Sequence, residues 1–186
     1  MAVEQFLSHY GLAAVALGAA FEGETAVIAG GLLAHRGLWP LGGAMLAAFL
    51  GSFAADQMFF AVGRTCRGMA WVQRLQRRAA FAKALDVFHR HPTGFILAFR
   101  FLYGLRIVSP VAIGTTRIPA RRFLALNLIA AAIWAPLFTI LGYSFGKGLE
   151  RWFGGRHVPL WAVGVGVLAL VGGGFAIHLL IQRRRR

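Results

Sequence analysis

The sequence predicts an all-α membrane protein: a re-entrant helical hairpin plus a transmembrane helix, repeated in inverted orientation. A basic amphipathic segment joins the two repeats, and a further transmembrane helix follows them. Four observations lead there. Apolar runs of bilayer-spanning length recur at 11–35, 39–63, 94–116, 123–146 and 158–181. The chain is 58% apolar and 14% charged, where soluble domains carry about 25% charged residues. Its basic residues fall between the apolar runs, as positive-inside anchors do. The net charge of +14 therefore points to anionic lipid and excludes nucleic acid as the partner. Finally, two of the runs hold ionisable residues beside glycine and proline.

All 186 residues read as one membrane domain. Residues 1–10 are mildly amphipathic, with Phe6, Leu7 and Tyr10, and suit the interface or a frayed tail. No Lys or Arg occurs in the first 20 residues, so a signal-peptide n-region is not expected. The unit 11–63 is the first hairpin and span. Within 11–35, Glu22 and Glu24 flank Gly23, and Gly30 and Gly31 follow. Residues two apart on a continuous helix face nearly opposite ways. A break at Gly23 would turn both carboxylates into one cavity. The run 39–63 is long enough to span, and its polar exception is Asp56. Seven residues separate Asp56 from Arg64, roughly 10 Å of helix, which sets Asp56 below the headgroups and facing inward.

Residues 64–92 differ in kind. Arg64, Arg67, Arg74, Arg77, Arg78, Lys83 and Arg90 alternate with Trp71, Val72, Leu75, Phe81, Leu85 and Phe88. That pattern predicts a basic amphipathic helix or helix pair on the membrane surface. His89 and His91 end it without convergent acidic or Cys partners, so no metal site is expected. The lone Cys66 excludes an internal disulfide.

The unit 94–146 is the second hairpin and span. Arg100 and Arg106 lie inside apolar sequence, with Gly104, Pro110 and Gly114 as helix breakers. An arginine at the bilayer centre costs roughly 2.5–3.5 kcal/mol, and such residues mark functional paths. Arg117, Arg121 and Arg122 precede a span at 123–146 that carries Asn127 and Trp134. A polar loop is expected at 147–157, then a Gly-rich span at 158–181. Gly164, Gly166 and Gly172–Gly174 would serve internal packing or a homodimer face. The tail at 182–186, with Arg183 to Arg186, argues for a cytoplasmic C-terminus.

That orientation makes the topology informative. If 94–116 crossed the membrane, the seven basic residues of 64–92 would lie outside, against the positive-inside rule. The conflict vanishes if 94–116 enters and leaves on one side, which backbone tolerates only when protein or water covers it. By the same reasoning 11–35 dips in from the opposite side. GETAVIAGGLLAHR (23–36) overlays GLRIVSPVAIGTTR (104–117) without a gap. Each is followed by a proline, Pro40 or Pro119, and then by a span ending in GRTCRG (63–68) or GYSFGKG (142–148). Inverted repeats with broken helices and a midplane site are the pattern of secondary transporters.

Three blocks carry a family resemblance: FEGETAVIAGGLLAHRG (21–37), GSFAADQMFFAVGR (51–64) and RFLYGLRIVSPVAIGTTRIPARRFLALNLIAAAIWA (100–135). Through them the chain resembles the DedA family of bacterial membrane proteins, relatives of the VTT-domain lipid scramblases. The first block departs from the family pattern, since only Gly23 separates the two acids where many members place a Pro-rich turn. Either Glu22 or Glu24 therefore matches the family acid. The resemblance implies opposed re-entrant hairpins in the bacterial inner membrane. It also implies a role in moving lipids or lipid-linked carriers, in several members the polyprenyl (undecaprenyl) phosphate carrier used in building the cell envelope.

Residues and resemblance meet at one charge set. Arg100 and Arg106 are expected to bind an anionic headgroup, because guanidinium matches phosphate oxygens bidentately. Glu22, Glu24 and Asp56 would pair the arginines in the empty site, and proton uptake would free them. Gly104, Pro110, Asn127 and Trp134 would support the site. The expected function is a flippase for anionic lipid, without cofactor beyond proton coupling and without metal. Alternatives are a non-selective phospholipid scramblase and a proton-coupled ion or small-solute transporter. The apolar run 94–116 that holds Arg100 and Arg106 contains no histidine, so a lipid phosphatase is not expected.

Overall fold

The computed structural model describes residues 2–66, 68–77, 79–102 and 106–152. The span at 158–181, its glycines, the basic tail and Gly104 lie outside the described residues. Among the described residues every regular element is helical. α1 is Ala2–Phe21, α2 Glu24–His35, α3 Leu41–Thr65, α4 Ala70–Gln76 and α5 Ala79–Arg90. α6 is Pro92–Ala98, followed by a 3₁₀ turn at Phe99–Phe101, then α7 at Val108–Gly114 and α8 at Ala120–Trp152.

Local chemistry sets the breaks. Gly23 separates α1 from α2 at φ 95°, a backbone conformation that favours glycine. Pro92 opens α6 at its first turn, where a missing N–H costs nothing. Pro110 was expected to break a helix. It is instead the third residue of α7, buried in the first turn, for the same reason. The second hairpin breaks earlier, between the 3₁₀ turn and α7.

α3 and α8 are long and apolar enough to cross a membrane, with 25 and 33 residues. Only 28% and 33% of their most apolar windows are buried. The core helix of a soluble protein would bury most of that surface. Here Leu46, Leu50 and Met58 on α3, and Leu128, Ile133 and Leu137 on α8, face outward, as lipid contact requires. The polar loop expected at 147–157 is corrected for its first part. α8 runs through Lys147 to Trp152 despite Gly148, with Glu150 tied back to His35 at 2.9 Å.

The helices interlock reciprocally. α1 packs on α3 and α6 on α8, while α2 crosses to α8 and α7 crosses to α3. The two crossings are the same contact made twice. A methyl group on Gly31 would collide with the Thr139 carbonyl oxygen, and one on Gly114 with the Phe60 carbonyl oxygen. Likewise Gly142 abuts the Ile28 carbonyl and Gly63 the Val111 carbonyl. Residues 28 and 31 thus correspond to 111 and 114, an offset of 83, and residues 60 and 63 to 139 and 142, an offset of 79. The gapless overlay of 23–36 on 104–117, an offset of 81, is therefore two residues out of register. Close backbone approach sets the register, and the terminal arginines and prolines do not report it.

Each crossing is pinned at one end. Arg64 donates from Nε to the Gly114 carbonyl at 2.9 Å and from Nη2 to the Ile118 carbonyl at 2.7 Å. These are carbonyls at and beyond the C-terminus of α7, where helical partners run out. At the other crossing, His35 Nε2 meets Glu150 and the His35 ring stands edge-on to Tyr143 at 4.9 Å.

The segment 64–92 forms the expected helix pair, but α5 does not lay its apolar face on lipid. Phe81, Ala84 and Phe88 are buried in a cluster with Phe95, Phe99, Val111, Ile113 and Phe123. α5 packs on α7 and thereby covers the second hairpin. A second cluster, including Val15, Val27, Trp39, Ala48 and Trp134, packs the first hairpin against α8.

Glycine at the crossings has a direct test. Gly63→Ala places its methyl on the Val111 carbonyl and should cost about 1–3 kcal/mol by overpacking. Gly42→Ala meets open space in the same helix and should be neutral or slightly stabilising. Thermal unfolding in detergent compares the two; equal midpoints would remove the crossing from the account of stability.

Candidate functional site

Helix periodicity gathers the buried polar residues. Ser52 and Asp56 are four apart on α3, and Asn127 and Trp134 seven apart on α8, so each pair shares one helix face. Those faces receive Arg100, which the 3₁₀ turn presents at the break of the second hairpin. Arg100 is 1% exposed. Its Nη2 donates to the Asp56 carboxylate and to Asn127 Oδ1, the latter at 2.8 Å. Its Nη1 reaches Ser52 Oγ at 3.4 Å. The neighbouring Phe99 belongs to one apolar cluster and Trp134 to the other. The ion pair therefore lies where the two halves join.

Arg106 enters from the turn before α7 and lies over the Trp134 ring, 4.6 Å from its centroid. Arg100 lies 5.6 Å from the same centroid. One indole thus carries two guanidinium groups, an arrangement of cation–π type. Arg106 Nη2 donates to the Ala19 carbonyl in the last turn of α1. That carbonyl is available because the Gly23 N–H turns back to Gly18. A cation at this position also meets the negative end of the α1 dipole. A side chain at position 23 would collide with Arg106 Nη1. Gly23 is thus required twice, for its backbone conformation and for the space it leaves.

Donors outnumber acceptors here. Among the described residues, Arg100 Nε, Arg106 Nη1 and Trp134 Nε1 are buried without a hydrogen-bond partner. Asp56 is buried and committed to Arg100. Glu24 is half-buried and acts on both arginines through space. Glu22 is exposed and makes no ion pair among the described residues. The break at Gly23 therefore separates the two acids, and Glu24 is the one turned toward the arginines.

The structure thus brings together Asp56, Arg100, Arg106, Asn127 and Trp134, with Glu24 at the edge. Pro110 lies within α7, away from these contacts. Three contributors were not foreseen. Ser52 was detectable as the residue one helical turn before Asp56. The Ala19 carbonyl and the space above Gly23 are main-chain features with no side-chain signal.

This set falls within a known family. The VTT domain matches residues 21–144, which span both hairpin breaks and every residue of the cluster except the Ala19 carbonyl. The chain is 33% identical over 175 residues to the inner membrane protein YohD of Escherichia coli, covering 93% of this chain and 91% of that protein. It is 25% identical over 176 residues to undecaprenyl phosphate transporter A of Bacillus subtilis, covering 89% and 88% respectively. A segment of 73 residues, 39% of this chain and 33% of its relative, is 33% identical to the protein DedA of Escherichia coli. No solved structure matches the chain. With the domain match covering most of its length, the chain belongs to the VTT-domain (DedA) family.

Proposed function

We propose that this protein is a flippase for anionic lipid in the bacterial inner membrane, with the polyprenyl (undecaprenyl) phosphate carrier as its substrate. The observation that carries the reading is the surplus of buried donors around Trp134 among the described residues: Arg100 Nε, Arg106 Nη1 and the indole N–H. An unsatisfied buried donor costs about 1–3 kcal/mol. A phosphate offers several acceptor oxygens and a charge that balances the second arginine. Arg106 is the more available of the two, held by one carbonyl and one ring face. The relationship to a protein named undecaprenyl phosphate transporter A supports the choice of lipid.

In this reading the hairpins are re-entrant from opposite sides and the C-terminus is cytoplasmic. The lengths of the arms of the second hairpin support it. α6 and α7 have seven residues each, about 10 Å of helix, against a hydrocarbon core of about 30 Å. The reciprocal crossings place the two hairpin breaks against each other, with Arg106 meeting Ala19 and Gly23. Proton uptake by Asp56 would release Arg100 to the phosphate, and deprotonation would take it back and expel the lipid. The residues bind and release, and no bond of the substrate is broken.

The test is translocation in proteoliposomes carrying a readable polyprenyl phosphate beside ordinary phospholipids, with and without a pH gradient. Wild type should move the phosphate carrier selectively, and Arg106→Ala should not. Equal movement of all lipids would indicate a scramblase, and no lipid movement by folded protein a solute transporter. Arg106→Lys keeps the charge but loses the planar fork and should slow transport at least about tenfold, since one lost charge-assisted bond is worth roughly 1.5–3 kcal/mol. Wild-type rates in that variant would defeat bidentate recognition.

The buried pair separates stability from transport. Asp56→Asn leaves Arg100 uncompensated and should lower stability by about 3–5 kcal/mol. Replacing both partners, Asp56→Leu with Arg100→Met, should recover most of that stability without recovering transport. Recovery of both would show that the pair only holds the fold together.

A further inference from the structure

Away from the charge cluster lies a cavity of about 580 Å³, between α5 and the connection from α7 to α8. Its chemistry is divided. Leu85 and Phe88 of α5 and Ile118 of the connection make an apolar wall, while His89, Arg117 and Arg122 line it with polar and basic groups. Arg117 and Arg122 are both exposed, and Arg122 holds Thr93 Oγ1 at 3.0 Å. Among the described residues no carboxylate lines the cavity. Asp86, the acid of α5, is taken up by Arg90 at 3.0 Å.

The position of the cavity follows from its neighbours. Arg64, in the last turn of α3, grips the Ile118 carbonyl, and α8 begins at Ala120. The ends of both apolar spans therefore meet at this cavity, where a headgroup layer would lie. α8 continues inward with exposed Leu124 and Leu128 in the turns after Arg121.

We propose that this cavity binds an acidic phospholipid of the surrounding leaflet. The phosphate would sit between Arg117 and Arg122, and the glycerol and first acyl carbons would lie along Leu85, Phe88 and Ile118. A free inorganic anion would leave the apolar wall and most of the volume unused. Basic pockets at span ends are suited to acidic headgroups. The bound lipid would bridge α5 to the start of α8, and so hold the cover of the second hairpin in place. The site is separate from the Arg100–Arg106 cluster and stands whether or not that cluster transports anything.

The test uses delipidated full-length protein in detergent, titrated with phosphatidylglycerol, phosphatidylcholine, inorganic phosphate or a polyglutamate peptide. Retained ligand is counted by native mass spectrometry, and the unfolding midpoint is read in parallel. Phosphatidylglycerol should bind and raise the midpoint; the other three should not. Arg117→Gln with Arg122→Gln should weaken that binding at least about tenfold, each surface arginine contributing roughly 1 kcal/mol. Arg117→Gln alone preserves the Arg122–Thr93 bond and should weaken it about fivefold, which covers the case in which the double variant folds poorly. Arg74→Gln with Arg77→Gln removes the same charge elsewhere and should bind as wild type. Equal loss in that control would reduce the effect to diffuse electrostatics and overturn the site. Equal stabilisation by phosphatidylcholine, phosphate or the peptide would overturn the assignment to acidic lipid.

Discussion

A guanidinium sealed from water needs a counter-charge and oxygen acceptors within reach, and Arg100 imposes that need on the whole molecule. Its acceptors come from two long helices: Ser52 and Asp56 from α3, Asn127 from α8. Neither helix alone could satisfy it. The broken hairpin exists to deliver the arginine, since the 3₁₀ turn brings residue 100 into the junction where a continuous helix would carry it past. Buried ion pairs contribute little net stability but are costly to break. The cluster therefore specifies how the halves meet more than it strengthens them.

Close backbone contact does the complementary work. At Gly31, Gly63, Gly114 and Gly142 the helices approach until a carbonyl of one touches the Cα of the other. Such contact suits apolar surroundings, where helices gain nothing by hiding from lipid and must gain by packing. Because the two crossings repeat one geometry, the breaks at Gly23 and after Phe101 are brought to a common place. The Trp134 ring then serves both arginines.

Much of this was legible in the residues. A charged residue in an apolar run is conspicuous, and the roughly two helical turns between Asp56 and Arg64 placed Asp56 inward. The break at Gly23 was expected to turn both acids into one cavity; the break is there, but Glu22 is exposed and only Glu24 turns toward the arginines. What escaped is main-chain or contextual. Nothing in Ala19 announces that its carbonyl will hold Arg106. Pro110 reads as a breaker wherever it stands, and only the position of the break shows that it starts a helix. The amphipathic pattern of α5 describes an apolar face without saying whether lipid or Phe95 and Val111 will cover it. Lys147 to Trp152 are polar enough for a loop, and their helicity depends on a tie to His35, 115 residues away.

That tie bears on how the chain is made. At synthesis rates of about 5–20 residues per second, the 44 residues between Asp56 and Arg100 take roughly 2–9 s to emerge, and the 115 between His35 and Glu150 roughly 6–23 s. Through that interval the first hairpin has no α8 to cross, and Asp56 has no cation. A carboxylate at membrane depth is then an uncompensated load of about 2.5–3.5 kcal/mol. The first half therefore reaches its finished packing only when the second has emerged. Threaded reciprocally, neither half completes its packing without the other.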